Sequence, residues 1–600
     1  MNDVLKTIFG LAGGLAIFLY GMNAMSDALQ KTAGEKMKQI LGFLTRNPVL
    51  GAVAGALVTA VLQSSSATTV MVIGFVSAGL MTLPQAISVI FGANIGTTMT
   101  AQLLAFKISH YIYPIIFVGF IINFVCKKEK VKNIGMVIFA FGLLFEGIEI
   151  MGSVMKPLAS ASIFITLMEK VSSVPVLGVV LGAVMTLLVQ SSSATIAVLQ
   201  NFASQPAADG VSSVMGLSGA IPILFGDNIG TTITALLASI GQSKNAKRTA
   251  VAHSVFNITG SILFLCLLRP FTAFVVWITS FVATGTPVQV ISRQIANAHT
   301  SFNIVVTLIW LPLLPLMVKI VNLIVRGEDK GQKVFSPRYL NNGVLGQPVA
   351  AIFLAAKEIA RCSQDARLML QATKGKIGSE AALAPQAGDE QSPQVYRMQQ
   401  IDFETQRDVV LYIQEAVTAY IKKLFSGGHL TEQQSEQAAG LLYVTNNLER
   451  IANRCEELNQ TLQELGESGK VIPDAAKEEL ANCFSILQRM FDSAMQAVEA
   501  GSEAAAKSVT DDYVKLRKSV KKFRKAHAKR VESGQSDASL TADFAGILYT
   551  LNRIADNCIS VAEEALDDVS FRSLEMPDES VLSKLSLAAE VGSFGGGING

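Results

Sequence analysis

The chain has little charge, few histidines and no paired cysteines. Only 16% of its 600 residues are charged, five are His and six are Cys, and no CxxC spacing occurs. The scattered cysteines exclude a disulfide scaffold and read as reduced, buried small residues, which points to the cytosol for the polar half. No HExxH, P-loop, nucleophile elbow or His/Cys cluster is present, so the common hydrolase and metalloenzyme classes are excluded. Half of the residues are apolar, which excludes intrinsic disorder and a collagen-like fibre.

The charge that exists is unevenly placed. Residues 1–325 carry 18 basic and 9 acidic side chains, whereas residues 326–600 carry 31 and 38. The formal net charge of +2 therefore conceals a sparse basic half and a dense acidic one. This split predicts a membrane domain followed by a soluble domain. The acidic balance of the second half argues against nucleic-acid binding.

From Asn47 to Phe106 there is no charged residue. As one helix this run would be about 90 Å long, against roughly 30 Å of bilayer hydrocarbon, so it must fold back within the membrane. Pro48, Pro84 and the polar cluster near residue 63 are the expected breaks. Further apolar segments lie near 110–126, 134–152, 175–200, 214–240, 249–268, 271–284 and 301–325. Leu5–Met25 lacks a cleavage site and reads as a retained first membrane helix. Lys127, Lys128, Lys130 and Lys132, then Lys244, Lys247 and Arg248, are placed in the cytoplasm by the positive-inside rule.

The membrane half contains an internal repeat. PVLGAVAGALVTAVLQSSSAT from Pro48 matches PVLGVVLGAVMTLLVQSSSAT from Pro175, and FGANIGTTMTAQLLA from Phe91 matches FGDNIGTTITALLA from Phe225. Duplication with polar interruptions inside apolar segments is the pattern of secondary transporters. If each QSSS sits on a re-entrant hairpin, one repeat makes three net crossings and the next is inverted; if it spans once, the repeats are parallel.

Four consecutive hydrogen-bonding side chains at membrane depth are costly unless they meet one another, water or a ligand. Gln63, Ser64, Ser65 and Ser66, and again Gln190, Ser191, Ser192 and Ser193, have this pattern. Hydroxyls and the free N–H groups of a broken helix suit an oxyanion. Close packing of small residues is the competing reading. Thr68, Asn94, Thr97 and Thr98, with Thr195, Asn228, Thr231 and Thr232, offer oxygens to a Na⁺ ion. Asp227 faces Ala93 in the repeat alignment and reads as a cation ligand or a proton site. Glu146 and Glu149 fall either on a cavity or in structural pairs. AHSVFN from Ala252 and AHTSFN from Ala298 place His253 and His299 four residues before Asn257 and Asn303, as hydrogen-bonded structural histidines. Arg293 either attracts an anion or lies at an interface.

The paired QSSS motifs, each followed by G-x-N-I-G-T-T, resemble the bacterial branch of the type II sodium–phosphate cotransporter family. The resemblance implies an all-α, polytopic membrane transporter with two inverted repeats and re-entrant or broken helices over residues 1–325. Repeat 1 is expected over about 5–126 and repeat 2 over about 134–268, with extra helices at 271–325. It implies inorganic phosphate as substrate, Na⁺ as coupling ion, no cofactor and no enzymatic activity. It also implies the two QSSS segments as the phosphate site. The expected setting is the bacterial inner membrane, with export or membrane-bound phosphate sensing as alternatives. A homodimer and a cytosolic regulatory partner are left open.

Residues 326–346 read as a linker. Helical patterns fill about 347–376, 396–426, 431–464, 474–500, 503–533 and 538–568, as a soluble, cytoplasmic bundle. LERIANRC from Leu448 and LNRIADNC from Leu551 resemble the PhoU-like helical domain over 347–570. The resemblance implies metal binding at Glu449 and Asp556, although each motif keeps one carboxylate, and a solvated polar face is the alternative. Residues 571–600 read as a flexible tail.

Overall fold

The computed structural model describes residues 3–42, 47–106, 108–159, 170–171, 173–207, 209–327, 337–378, 403–427, 430–468, 470 and 472–566. The expected tail and residues 328–336 of the linker lie outside the described residues. The chain divides into two compact units, Met1–Lys330 and Gly331–Glu575, so the boundary falls inside the expected linker. Among the described residues there is no strand beyond a single bridge, Pro206 to Ser213.

The first unit contains α1 (Asp3–Gly42), α2 (Pro48–Leu62), α3 (Ser65–Ser77), α4 (Leu83–Leu104), α5 (Ile112–Val125) and α6 (Glu129–Ala159). Then come α7 (Pro175–Val189), α8 (Ser192–Ala203), α9 (Gly216–Gly230), α10 (Thr232–Ala238) and α11 (Lys244–Cys266). It closes with α12 (Leu268–Ser280), α13 (Pro287–Trp310) and α14 (Leu314–Ile324). Among the described residues five helical stretches are long and apolar enough to cross a membrane, and α13 with α14 form a sixth, bent by 88°. The sequence places this last segment too late, at 301, because Arg293 breaks its apolar run. In the structure Arg293 is covered: its Nη1 donates to Gln102 Oε1 at 2.8 Å and its guanidinium lies 4.6 Å from the Phe106 ring centre.

Helices α2 and α7 have 15 residues each, about 22 Å, too short to span. Glycines let each lie flush on the span that follows. A Cβ at Gly92 would lie 1.7 Å from the Ala52 carbonyl oxygen, and one at Gly226 would lie 2.0 Å from that of Val179. These contacts advance in the same direction along both partners, so α2 runs parallel to α4 and α7 parallel to α9. A short loop joins the end of α3 to the start of α4, which returns α3 to the level where α2 began. Helices α2 and α3 are therefore a re-entrant hairpin, and α7 with α8 repeat the arrangement. Gly92→Ala or Gly226→Ala is expected to cost about 3 kcal/mol, the upper end for overpacking, because backbone rather than a movable side chain blocks the methyl. Fluorescence-detected size exclusion should show loss of the monodisperse peak for both.

The inversion is visible at the contact between α1 and α6, which correspond in the repeat. A Cβ on Gly10 would meet Val154, one on Gly14 would meet Met151 and Gly147, and one on Gly21 would meet Leu144 and Ala140. The partner number falls as the α1 number rises, so equivalent helices are antiparallel. The apolar outer faces of α2, α5 and α7 are exposed, as befits lipid: Phe124 is 77% and Leu188 74% accessible. At one end of the unit Arg248 donates to the carbonyls of Val325 at 3.1 Å and Gly327 at 2.7 Å. The Lys244–Arg248 cluster and the exit toward the second unit therefore share one face.

The second unit contains α15 (Pro348–Gly378), α16 (Phe403–Ser426), α17 (Glu432–Glu467), α18 (Asp474–Ala500), α19 (Glu503–Glu532) and α20 (Leu540–Leu566). These match the six helical patterns of the sequence, except that residues 396–402 of the second pattern lie outside the described residues. The expected stripe on α20 is buried at Leu551, Ile554, Ala555, Cys558 and Ala562 and packs into one core shared by all six helices. The buried Glu358 accepts the N–H groups of Arg338 and Tyr339 at 2.7 and 2.6 Å, which fixes the start of this unit. All six cysteines are free, but Cys126 is only half-buried and Cys266 is exposed at the apolar end of α11, so burial holds for four of them.

Candidate functional site

Each QSSS motif is the tip of a hairpin. Gln63 ends α2 at φ 52° and Gln190 ends α7 at φ 54°. Among the described residues these are the two non-glycine positions with left-handed backbone. Such a conformation costs an L-residue about 1–2 kcal/mol, and it recurs in both repeats with Gln rather than Gly. Ser64 and Ser191 then cap α3 and α8: their Oγ atoms accept from Ala67 N at 3.2 Å and Ala194 N at 3.3 Å. A capping oxygen is used as acceptor, so its hydrogen remains free to donate. The N–H groups of Ser65, Ser66, Ser192 and Ser193 stand in the open first turn, and their hydroxyls make no hydrogen bond to any of the described residues. Each tip thus presents serine hydroxyls and unpaired amides at the positive end of a short helix, a combination that suits an oxyanion.

The motifs differ in their state. Gln63 is buried, donates to Ala60 O and accepts from Thr100 Oγ1 at 2.9 Å. Gln190 is exposed. Ser26 Oγ of α1 donates to the Leu62 carbonyl at 2.6 Å and ties the first tip to its neighbour. No hydrogen bond joins one QSSS to the other among the described residues. The repeats instead interleave through their spans: Gln200 Nε2 on α8 donates to Ala101 O on α4 at 3.1 Å.

Beneath each tip lies a pair of threonines. Thr59 Oγ1 donates to Thr68 Oγ1 at 2.8 Å, and Thr186 Oγ1 lies 3.1 Å from Thr195 Oγ1. In the second repeat Thr186 also donates to Asp227 Oδ1 at 2.6 Å. Asp227 is fully buried, and its Oδ2 has no hydrogen-bond partner among the described residues. The small Ala93 occupies the equivalent place in the first repeat, so the acid is a one-sided addition to a symmetric site.

The NIGTT threonines turn their hydrogens inward. Thr97 and Thr98 donate to Ala93 O and Ile95 O at 3.1 and 2.8 Å, and Thr231 and Thr232 to Asp227 O and Ile229 O at 2.9 and 2.8 Å. A hydroxyl whose hydrogen is held by its own helix presents only lone pairs, as a hard cation requires.

The asparagines of the same motifs are gripped by the two histidines. His253 Nε2 lies 3.1 Å from Asn94 Oδ1, and His299 Nε2 lies 3.1 Å from Asn228 Oδ1. Both histidines are 1% exposed. Asn257 and Asn303 donate to the main-chain oxygens of His253 and His299 rather than to their rings. Phe91 stacks on Phe256 at 4.9 Å and Phe225 meets Phe302 at 5.1 Å, so the same symmetry extends to a third residue of each H-x-x-F-N motif. The sequence reading singled out these histidines without connecting them to NIGTT; the recurring H-x-x-F-N beside a recurring Asn was the available signal. It missed Thr59 and Thr186, although they recur at the same place in the two repeats, and Thr100, which as an isolated threonine in an apolar helix carries no pattern. His253→Ala and His299→Ala leave a buried amide oxygen unpaired and are each expected to cost about 1–3 kcal/mol. Thermal unfolding of the detergent-solubilised protein measures this.

A cavity of about 450 Å³ is lined by Glu149, Ser109, Gln200, Asn201 and Ser292, with Phe106 at its edge. Ser109 Oγ donates to Glu149 Oε2 at 3.0 Å, so Glu149 faces a cavity. Glu146 is half-buried and lies outside its lining. Asp556 accepts from Tyr513 OH at 2.8 Å and from Arg553 at 3.3 Å, and Glu449 from Asn453 at 3.4 Å. No group of three metal-type side chains occurs among the described residues.

Family models fit both halves. The Na⁺/Pi-cotransporter model matches twice, over residues 17–153 and 147–277, and the PhoU domain model matches 480–565. YqeW of Bacillus subtilis is 31% identical over 52% of this chain and 96% of its own length. YjbB of Salmonella typhimurium, whose name assigns it inorganic phosphate export, is 22% identical over 96% of this chain and 98% of its own. The human sodium-dependent phosphate transport protein 2B is 40% identical over 16% of this chain and 14% of its own. No solved structure matches. Two inverted hairpins, matched twice by one model, place this chain in the Na⁺/Pi-cotransporter family, with a PhoU domain at its C-terminal end.

Proposed function

We propose that this chain carries inorganic phosphate across the bacterial inner membrane coupled to Na⁺. The observation that supports it best is the pair of inverted helix N-termini at Ser64–Ser66 and Ser191–Ser193, where the hydroxyls of Ser65, Ser66, Ser192 and Ser193 bond to no described group. Helices α2–α4 and α7–α10 contain no Lys or Arg. Phosphate held there must have its charge met by helix dipoles and by cations that travel with it. Thr68, Asn94, Thr97 and Thr98 with Thr195, Asn228, Thr231 and Thr232 are the oxygens for those cations, with Asp227 adding one negative charge. Inversion of the hairpins lets the shared site open to either side in turn. The basic cluster at Lys244–Arg248 shares a face with the exit to the second unit, which by the positive-inside rule favours a cytoplasmic PhoU domain that regulates transport.

Phosphate uptake into proteoliposomes is expected to rise with an inward Na⁺ gradient and to vanish in choline. Uptake indifferent to Na⁺, with folded protein, sinks the symport reading. Similarity to YjbB over nearly the whole chain favours a second reading, net export through the same site. Lower cellular phosphate after overexpression supports export, and higher phosphate supports uptake.

A further inference from the structure

Helix α19 carries ten basic and four acidic side chains, in a half of the chain that is otherwise acidic. Its buried face is formed by Leu516, Val520, Phe523 and His527. On the opposite side Lys518, Lys521, Lys522, Lys525 and Lys529 recur at intervals of three and four and form one stripe, about 16 Å long. All five are exposed. Three of the other five cations of this helix are ion-paired: Lys507 with Glu503 at 2.7 Å, Lys515 with Asp512 at 2.9 Å and Arg530 with Glu479 at 2.7 Å. The five stripe lysines pair with no acidic residue among those described. Like charges one helical turn apart repel, so the arrangement is unfavourable unless an anionic surface meets it.

We propose that this stripe docks the second unit onto anionic lipid headgroups of the bilayer that holds the first unit. Charge complementarity selects the occupant: a leaflet containing anionic lipid attracts each lysine that comes within about 8–10 Å, the screening length at moderate salt. Connectivity supplies proximity, because residues 325–347 tether the second unit to the last membrane helix and keep it at high local concentration beside the bilayer. The acidic remainder of the unit is repelled by the same leaflet, so α19 is the face that turns toward it. This inference rests on the first unit being membrane-embedded and not on what it transports or in which direction.

The test uses the full chain in nanodiscs of phosphatidylcholine alone or of phosphatidylcholine with phosphatidylglycerol, which leave both protein faces accessible. Lysine acetylation is followed residue by residue by mass spectrometry. Acetylation of the five stripe lysines is expected to slow by about tenfold in the phosphatidylglycerol discs and to recover in about 0.5 M NaCl. Lys477, exposed on α18, serves as the control and should not change. Replacing all five lysines by glutamine should leave the protein folded and bring Lys515 and Lys507 to equal reactivity in both disc types. Equal reactivity of the stripe in both disc types overturns the proposal, as does equal slowing at Lys477. Slowing by added RNA in phosphatidylcholine discs, with none from phosphatidylglycerol, overturns it in favour of a nucleic-acid partner.

Discussion

Ser65→Ala and Ser192→Ala are each expected to reduce Na⁺-driven phosphate uptake by about tenfold to a hundredfold, with normal amounts of folded protein. Each serine is the first residue of a short helix, with an open N–H and a hydroxyl that no described group uses. A hydrogen bond to a charged group contributes about 1.5–3 kcal/mol, which sets the size of the effect. The preceding residues are poorer choices. Ser64 and Ser191 also cap their helices, so their loss combines binding with a capping cost of about 1 kcal/mol. Both variants should fail to a similar degree, because each repeat contributes one tip. Initial rates in proteoliposomes across a range of phosphate concentrations decide the matter. Normal uptake by either variant would falsify the assignment of that tip to the substrate.

Asp227→Asn is expected to raise the Na⁺ concentration needed for half-maximal uptake by about tenfold or more. The substitution isolates charge from shape. Asn keeps an oxygen to accept from Thr186, which now donates at 2.6 Å, so packing against Thr195 should survive. What disappears is the negative charge next to hydroxyls that already point their lone pairs outward. If the buried Asp227 is a cation ligand, loss of its charge should weaken Na⁺ binding by more than about tenfold, because a low local dielectric strengthens ion attraction. An unchanged Na⁺ curve, measured at two pH values, would show that the acid is not a coupling ligand. If the Na⁺ curve holds but the pH dependence of uptake disappears, Asp227 serves as a proton site instead.

Much of this molecule was legible before any coordinates. The charge-free run from Asn47 to Phe106 is longer than a bilayer is thick, so a fold-back followed from length alone. The duplicated QSSS and NIGTT segments marked the candidate site, because polar side chains in apolar helices stand out against their background. The six helices of the second unit followed from the spacing of apolar residues, and the stripe on α20 is buried where expected. Burial of all six cysteines did not hold, because an apolar neighbourhood along the chain does not distinguish a core from a lipid-facing surface. The start of the last membrane segment was also misjudged, because the partners that cover Arg293, Gln102 and Phe106, lie almost two hundred positions away.

What the sequence determined by itself is therefore local: helix identity, the two repeats, and the residue types at each tip. These depend on short-range pattern and on the cost of burying polar groups. The tertiary structure alone decided the relations between repeats. Only antiparallel packing of α1 on α6 distinguishes inverted from parallel copies, since both orders have the same sequence. Only folding brought His253 to Asn94 and His299 to Asn228, and Thr186 to Asp227. Such contacts cross from one helix to another through close glycine packing, and one dimension of sequence does not record which helices become neighbours.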